Sequence, residues 1–263
     1  MKSLSSIRAL IIDMDGVLWR GKQPLPGLAE FFAFLRDRHI QFVLATNNGA
    51  HTEEQYAERL ASYGAPVAVD EILTSSSATA EHLASVLPAG SRVYTIGLQG
   101  VRDALTRRGF VLSEEDGVAA VVVGIDWNLT YNQLKRASLL IRAGAIFVGT
   151  NPDKTFPAPE GIIPGNGALL AAIQVATGID PFVVGKPEPI LYRLAMQRLG
   201  VPLEATAALG DRMETDILGG IRTGVRTILV LSGVTTPEEL ALFEYQPDWV
   251  FQDIIDVMKH WDQ

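Results

Sequence analysis

The 263-residue chain has no cysteine. Disulfide bridges, thiolate metal ligands and a thiol nucleophile are therefore excluded. It also lacks any uninterrupted apolar stretch of about 18 residues, the length a membrane-crossing helix needs. The opening MKSLSSIRALIID meets an arginine and then acids too early to supply a secretory signal's apolar region. Basic residues are the minority, 22 Lys and Arg against 30 Asp and Glu, for a formal net charge of −8. That balance opposes nonspecific binding to nucleic acid polymers or anionic lipid, although a metal or local donors can reverse the field inside one cleft and admit a small anion. A cytoplasmic protein that does not engage the membrane is the resulting expectation.

Several familiar ligand motifs are missing too. No GxGxxG follows a candidate strand. Lys186 is followed by Pro187 where a Walker sequence needs Ser or Thr, and Gly16 comes too soon after Asp13 for an EF-hand loop. Three common nucleotide or calcium explanations are thereby removed.

What is present is a core-forming chain, 48% hydrophobic, long enough for one large domain or two modest ones. Short apolar runs recur: ALII before Asp13, FVLA before Thr46, VYTI at 93–96, AAVVV at 119–123, AIFV at 145–148, FVV at 182–184, ATAAL at 205–209 and TILVL at 227–231. Most read as strands buried on both faces. Helical patterns lie between them, over 28–38, 53–63, 78–87, 131–142, 167–176 and 189–199, several closed by a glycine suited to the left-handed conformation. The alternation predicts an α/β protein with a parallel sheet covered by helices; a closed eight-fold barrel fits the count, but the segments are uneven. The polar run 74–77 and the turn Gly178–Pro181 mark candidate crossings, giving a core at 1–77 and 181–263 and an inserted, smaller α/β unit at 78–180.

Ligands of open α/β sheets collect at the carboxyl ends of the strands. Unusual polar residues stand at those ends: Asp13 and Asp15, then Thr46 with Asn47 and Asn48, then Lys186, then Asp211 with Asp216. Gly16 permits a tight turn after the first pair. Two adjacent carboxylates repel, and a divalent cation is the simplest way to keep both ionised; oxygen donors without His or Cys favour Mg²⁺ over zinc. The plainer reading makes each acid a turn former or helix cap. Thr46 can donate to a phosphoryl oxygen, or Asn48-Gly49 can be only a turn. Lys186 can neutralise charge on a phosphoryl group, or simply introduce the following helix.

Taken together, the segments DMDGVLW at 13–19, Thr46 with Asn47-Asn48, Lys186 in VVGKPEP and GDRMETD at 210–216 resemble the haloacid dehalogenase (HAD) superfamily of phosphohydrolases. The closer similarity is to the subfamily with a large inserted α/β cap, which includes NagD-type and 4-nitrophenyl phosphatases. GTNPDKTFP and GIIPGNGALLAAI resemble the closing stretch of that cap. The resemblance implies a Rossmann-like HAD core and a magnesium-dependent phosphomonoesterase acting on a small metabolite or nucleoside monophosphate. It makes Asp13 the nucleophile that carries the phosphoryl group and Asp15 the acid, then base. Thr46, Asn47, Asn48 and Lys186 would bind the phosphoryl oxygens. Mg²⁺ would be held by the side chains of Asp13 and Asp211 and the main-chain carbonyl of Asp15, with Asp216 outside the direct ligands.

A phosphotransferase with an acceptor other than water, and a phospho-ligand binding module without catalysis, are the alternatives. The cap surface is where substrate selection is expected. Trp127 could serve as a platform for an aromatic leaving group or only pack, Arg142 and Lys154 could meet a second anion or only solvent, and Asn151 and Asp153 could reach phosphate or form a turn. Exposed aliphatic area on the cap could support a homodimer, as in several relatives.

Overall fold

The computed structural model describes residues 4–158 and 161–262. It resolves into two compact units. One takes in Met1–Thr46, Glu53–Leu73 and Lys186–Gln263; the other takes in Asn47–Thr52 and Thr74–Gly185. The second is inserted, in chain order, into the first.

In the first unit a six-stranded sheet runs, from one edge to the other, Trp249–Phe251, Arg226–Val230, Thr206–Gly210, Ala9–Ile12, Gln41–Thr46 and Ile72–Thr74. Ala9–Ile12 pairs in parallel with Thr206–Gly210 on one side and Gln41–Thr46 on the other. Every side chain of Ala9–Ile12 and of Thr206–Gly210 is buried, as a sheet with helices on both faces requires. Helix Leu28–Asp37 buries Leu28, Phe31, Phe32 and Leu35, one face at helical spacing. Phe32 packs edge-on against Phe42 with ring centres 5.1 Å apart, and removing such a ring costs about 3–5 kcal/mol. Helix Pro189–Leu199 begins with proline in its first turn and ends at Gly200, whose φ of 62° suits a residue without Cβ. The strand order reverses at the junction of Ala9–Ile12 and Thr206–Gly210, a topological switch point where an open α/β sheet leaves a crevice.

The second unit has its own five-stranded sheet, ordered Phe182–Val183, Ile146–Gly149, Ala120–Val123, Arg92–Ile96 and Val111–Leu112, all parallel. Two separate open sheets dispose of the barrel alternative. Helix Tyr131–Arg142 starts at the expected capping box, with Thr130 and Gln133 satisfying each other's main-chain N–H groups. Helix Ser75–Val86 starts three residues before the expected Ala78. Thr74 Oγ1 accepts from Ser77 N at 3.1 Å and Ser77 Oγ accepts from Thr74 N at 3.1 Å, so the small polar run is a helix start. The buried hydroxyls of Ser75 and Ser76 donate to Asn47 O and Gly49 O at 2.6 and 2.8 Å. No helix among the described residues is long and apolar enough to cross a membrane.

Candidate active site

Asp13 directly follows the strand Ala9–Ile12, and its N–H donates to Leu209 O at 2.8 Å, continuing the ladder onto the neighbouring strand. Asp211 follows Gly210 at the end of that neighbour, so two acids far apart in sequence become adjacent by parallel pairing in register. Asp216 lies one turn further on, in the π-helical segment Met213–Ile217. One oxygen from each of Asp13, Asp211 and Asp216 lies within 4.8 Å of the others.

Lys186 joins them. Its buried Nζ donates to Asp13 Oδ1 and to Asp216 Oδ1, both at 2.6 Å. Asp216 Oδ2 accepts from Arg212 N at 3.0 Å, and its main-chain oxygen accepts from the buried Tyr192 hydroxyl at 2.9 Å. Asp211 Oδ2 accepts from Val234 N at 2.7 Å. The cradle around Asp211 is made of glycine: a Cβ at Gly16, where φ is 86°, or at Gly233 would overlap its carboxylate.

Three carboxylates around one ammonium leave an excess of negative charge in a poorly solvated place. Burial pushes the Asp13 carboxyl well above its ordinary range; Lys186 opposes that, while Asp216 and Asp211 push with it. Asp211 is pushed up to about 7, first by burial and then by Asp216, against the Val234 N–H, Arg212 and Lys186. For Lys186 burial works against the charge, but Asp13 and Asp216 outweigh it and hold the ammonium above the ordinary lysine value. Asp211 Oδ1 is buried with no hydrogen-bond partner among the described residues. An orphaned carboxylate oxygen, an oxygen-only donor set and surplus negative charge fit a hard divalent cation, Mg²⁺ rather than zinc. Asp216, expected outside the direct ligands, contributes an oxygen to the same cluster, although both its oxygens already accept hydrogen bonds.

The other expected residues are placed as follows. The Asp15 side chain accepts from the Trp19 indole, Nε1 to Oδ1, at 2.8 Å. Thr46, buried, ends the strand beside Ala9–Ile12. In the second unit Asn47 Nδ2 donates to Asp153 Oδ1 at 2.9 Å, Asn151 Nδ2 donates to Asn47 O at 2.8 Å, and Asn48 Oδ1 accepts from Ala50 N at 3.3 Å. Trp127 is half exposed beside Phe156, with ring centres 6.0 Å apart. Arg142 donates to Ala176 O at 2.7 Å, and Lys154 is exposed. Three supporting groups carried no expectation: the Trp19 indole, the Tyr192 hydroxyl and the Val234 amide. The last could have been found, because Ser232-Gly233-Val234 follows the strand Arg226–Val230 just as the other site residues follow theirs.

Residues 10–111 match the haloacid dehalogenase-like hydrolase family and residues 183–257 the HAD-hydrolase-like family. An acid sugar phosphatase from Staphylococcus saprophyticus is 38% identical over 256 residues, 97% of this chain and 98% of that relative. The chain belongs to the haloacid dehalogenase-like hydrolases. A crystal structure of 4-nitrophenylphosphatase from Thermotoga maritima superposes with a TM-score of 0.94 at 36% identity, over 99% of this chain and 100% of that one. A glycerol phosphate phosphatase from Mycobacterium tuberculosis, in complex with magnesium, gives a TM-score of 0.90 at 32% identity over 98% of this chain and 78% of that one. Within the family the chain falls in the NagD and 4-nitrophenylphosphatase-like group with an inserted α/β cap. It is a magnesium-dependent phosphomonoesterase that works through an aspartyl-phosphate on a small phosphorylated metabolite.

Proposed function

We propose that Asp13 is the residue phosphorylated, that Asp15 is the acid and then the base, and that the substrate is the phosphate monoester of a sugar or small polyol. The observation that carries the assignment is the Lys186 ammonium 2.6 Å from Asp13 Oδ1 and 2.6 Å from Asp216 Oδ1. Asp216 braces that lysine, and the lysine aims Asp13. A carboxylate stripped of water and fixed in direction is a stronger nucleophile than a solvated one. Lys186 would also offset charge gathering on the phosphoryl oxygens. Thr46, with Asn47 and Asn48 following it in the chain, would donate to those oxygens. Asp15 serves both steps, because the group that has given a proton to the leaving oxygen is ready to take one from water. The side chains of Asp13 and Asp211 and the Asp15 main-chain carbonyl would hold magnesium. When bound, the ion supplies charge stabilisation to the transferring group.

The names of the relatives support the substrate class: one is a sugar phosphatase and another a glycerol phosphate phosphatase. The proposal extends to a cytoplasmic enzyme with a catalytic core at 1–77 and 181–263 and a cap at 78–180. A homodimer would form through the cap, where Val175 and Phe182 are exposed. The test is a panel of sugar, polyol, nucleoside and aryl phosphates with Mg²⁺. Sugar or polyol phosphates should exceed nucleoside monophosphates in kcat/KM by about tenfold or more, the scale of a few added or missing polar contacts. The opposite ranking overturns the substrate class. Transfer to an added alcohol in preference to water would instead make the chain a phosphotransferase.

A further inference from the structure

We propose that Trp19 is a positioning residue for the acid–base carboxyl, holding Asp15 by Oδ1 so that Oδ2 is the oxygen that exchanges the proton with substrate and water. This rests on the reading of Asp15 as acid and base. Trp19 is wholly buried, and its Nε1 donates to Asp15 Oδ1 at 2.8 Å. The main chain closes the same turn, with Gly16 N donating to Trp19 O at 2.8 Å. An indole N–H can only donate. Oδ1 therefore accepts, and because a carbonyl oxygen is a better acceptor than a carboxyl hydroxyl, the hydrogen bond favours a proton at Oδ2.

The indole cannot swing away. It stacks on Tyr56 with centres 6.2 Å apart and planes 11° from parallel, and meets Tyr63 edge-on at 6.4 Å. The Arg59 guanidinium lies 4.2 Å from its centre. Arg59 is itself fixed, its Nε donating to the Tyr63 hydroxyl at 3.1 Å and its Nη2 to Gly21 O. A cation over the ring draws electron density from it, which strengthens the N–H as a donor.

In the first step Oδ2–H passes its proton to the ester oxygen as that oxygen takes the P–O bonding pair and an Asp13 oxygen bonds to phosphorus. In the second, Oδ2 takes a proton from water as the water oxygen bonds to phosphorus. The pair of the Asp13 O–P bond then returns to the Asp13 carboxylate.

The experiment compares an alkyl phosphate, glycerol 3-phosphate, with 4-nitrophenyl phosphate, whose leaving group departs without help from an acid. Trp19→Phe is made together with Trp19→3-benzothienylalanine, which keeps the bicycle and replaces N–H by sulfur. Thermal melting and calorimetric Mg²⁺ binding report whether fold and metal site are intact. With the isostere, kcat/KM on the alkyl phosphate should fall about tenfold to a hundredfold, the loss of one hydrogen bond to a charged group. On the aryl phosphate the fall should be below about threefold. Equal losses on both substrates, or none, in an isostere that melts and binds Mg²⁺ like the parent would overturn the inference. Asp15→Asn separates the underlying reading: a loss concentrated on the alkyl phosphate upholds it, and an equal loss on both removes Asp15 from acid catalysis whatever Trp19 does.

Discussion

Among the described residues the core unit buries charge, with Asp211 and Asp216 set against Lys186 and the nearly buried Asp13, beside neutral hydroxyls such as Thr206 and Thr227, whereas the polar side chains buried in the cap unit are neutral amides and hydroxyls. In the cap unit Asn166 Nδ2 donates to Val123 O at 3.1 Å and to Asn151 O at 2.8 Å, while Asn151 Nδ2 donates to Asn47 O at 2.8 Å. That cluster spends its donors on main-chain carbonyls of its own unit and holds segments together. The core cluster concentrates like charge and raises the pKa of Asp13 and Asp211. Each cluster leaves one buried oxygen without a partner among the described residues, but in the cap unit it is the neutral amide oxygen of Asn166 and in the core a carboxylate oxygen of Asp211. Charge that the chain does not balance is a cost to folding unless a cation from outside offsets it. The difference separates polar burial that serves structure from polar burial that serves chemistry.

The contrast can be broken by substitution, most sharply at Asp13. Asp13→Asn should lower kcat by about 10⁴-fold or more, since a nucleophile removed from a cooperating set takes most of the catalysis with it. The same variant should melt no lower than the parent, because a desolvated carboxyl has been neutralised; release of inorganic phosphate and calorimetry check the two halves. Lys186→Met should abolish activity too, but with the opposite effect on folding, a loss of about 3–5 kcal/mol in urea unfolding as the buried carboxylates lose their ammonium.

Metal removal and pH act on the same buried acids. Asp211 has a folded pKa of about 7 against an ordinary 3.8, so it binds a proton more tightly folded than unfolded. Its contribution to stability is complete below about pH 4 and is lost as the pH rises through about 7; the raised Asp13 acts in the same direction. Chelated protein should therefore lose a few kcal/mol across that interval, of the order expected for shifts this size. Saturating Mg²⁺ should remove most of the loss and Asp211→Asn should flatten the slope, both visible in melting curves with and without chelator. The smallest effect belongs to the neutral cluster. Asn166→Ala should cost about 1–3 kcal/mol through unpaired carbonyls and leave Mg²⁺ affinity within about twofold.

Much of the cluster of Asp13, Asp211 and Lys186 was legible because polar residues that interrupt apolar runs stood out in the sequence. Asp13 after ALII, Thr46 after FVLA and Asp211 after ATAALG stand where buried strands stop, and a parallel sheet aligns such ends. Asp216 follows one turn later. The Trp19 hydrogen bond was not legible, although the residue ends the segment DMDGVLW, because it depends on how the turn at Gly16 folds back. The reach of Val234 N to Asp211 depends likewise on two neighbouring strand tips meeting. The helix start at Ser75 was missed for a different reason: Thr74-Ser75-Ser76-Ser77 has the composition of a crossing, yet its hydroxyls are consumed by capping and by carbonyls 27 and 28 residues away.

The most direct measurement is acid quenching of a single turnover followed by borohydride trapping and peptide mass spectrometry. A transient acyl phosphate confined to Asp13, absent in Asp13→Asn and decaying as free phosphate appears, is the expected result. Full turnover without a modified residue 13, or trapping on any other side chain, would contradict the assignment of the site.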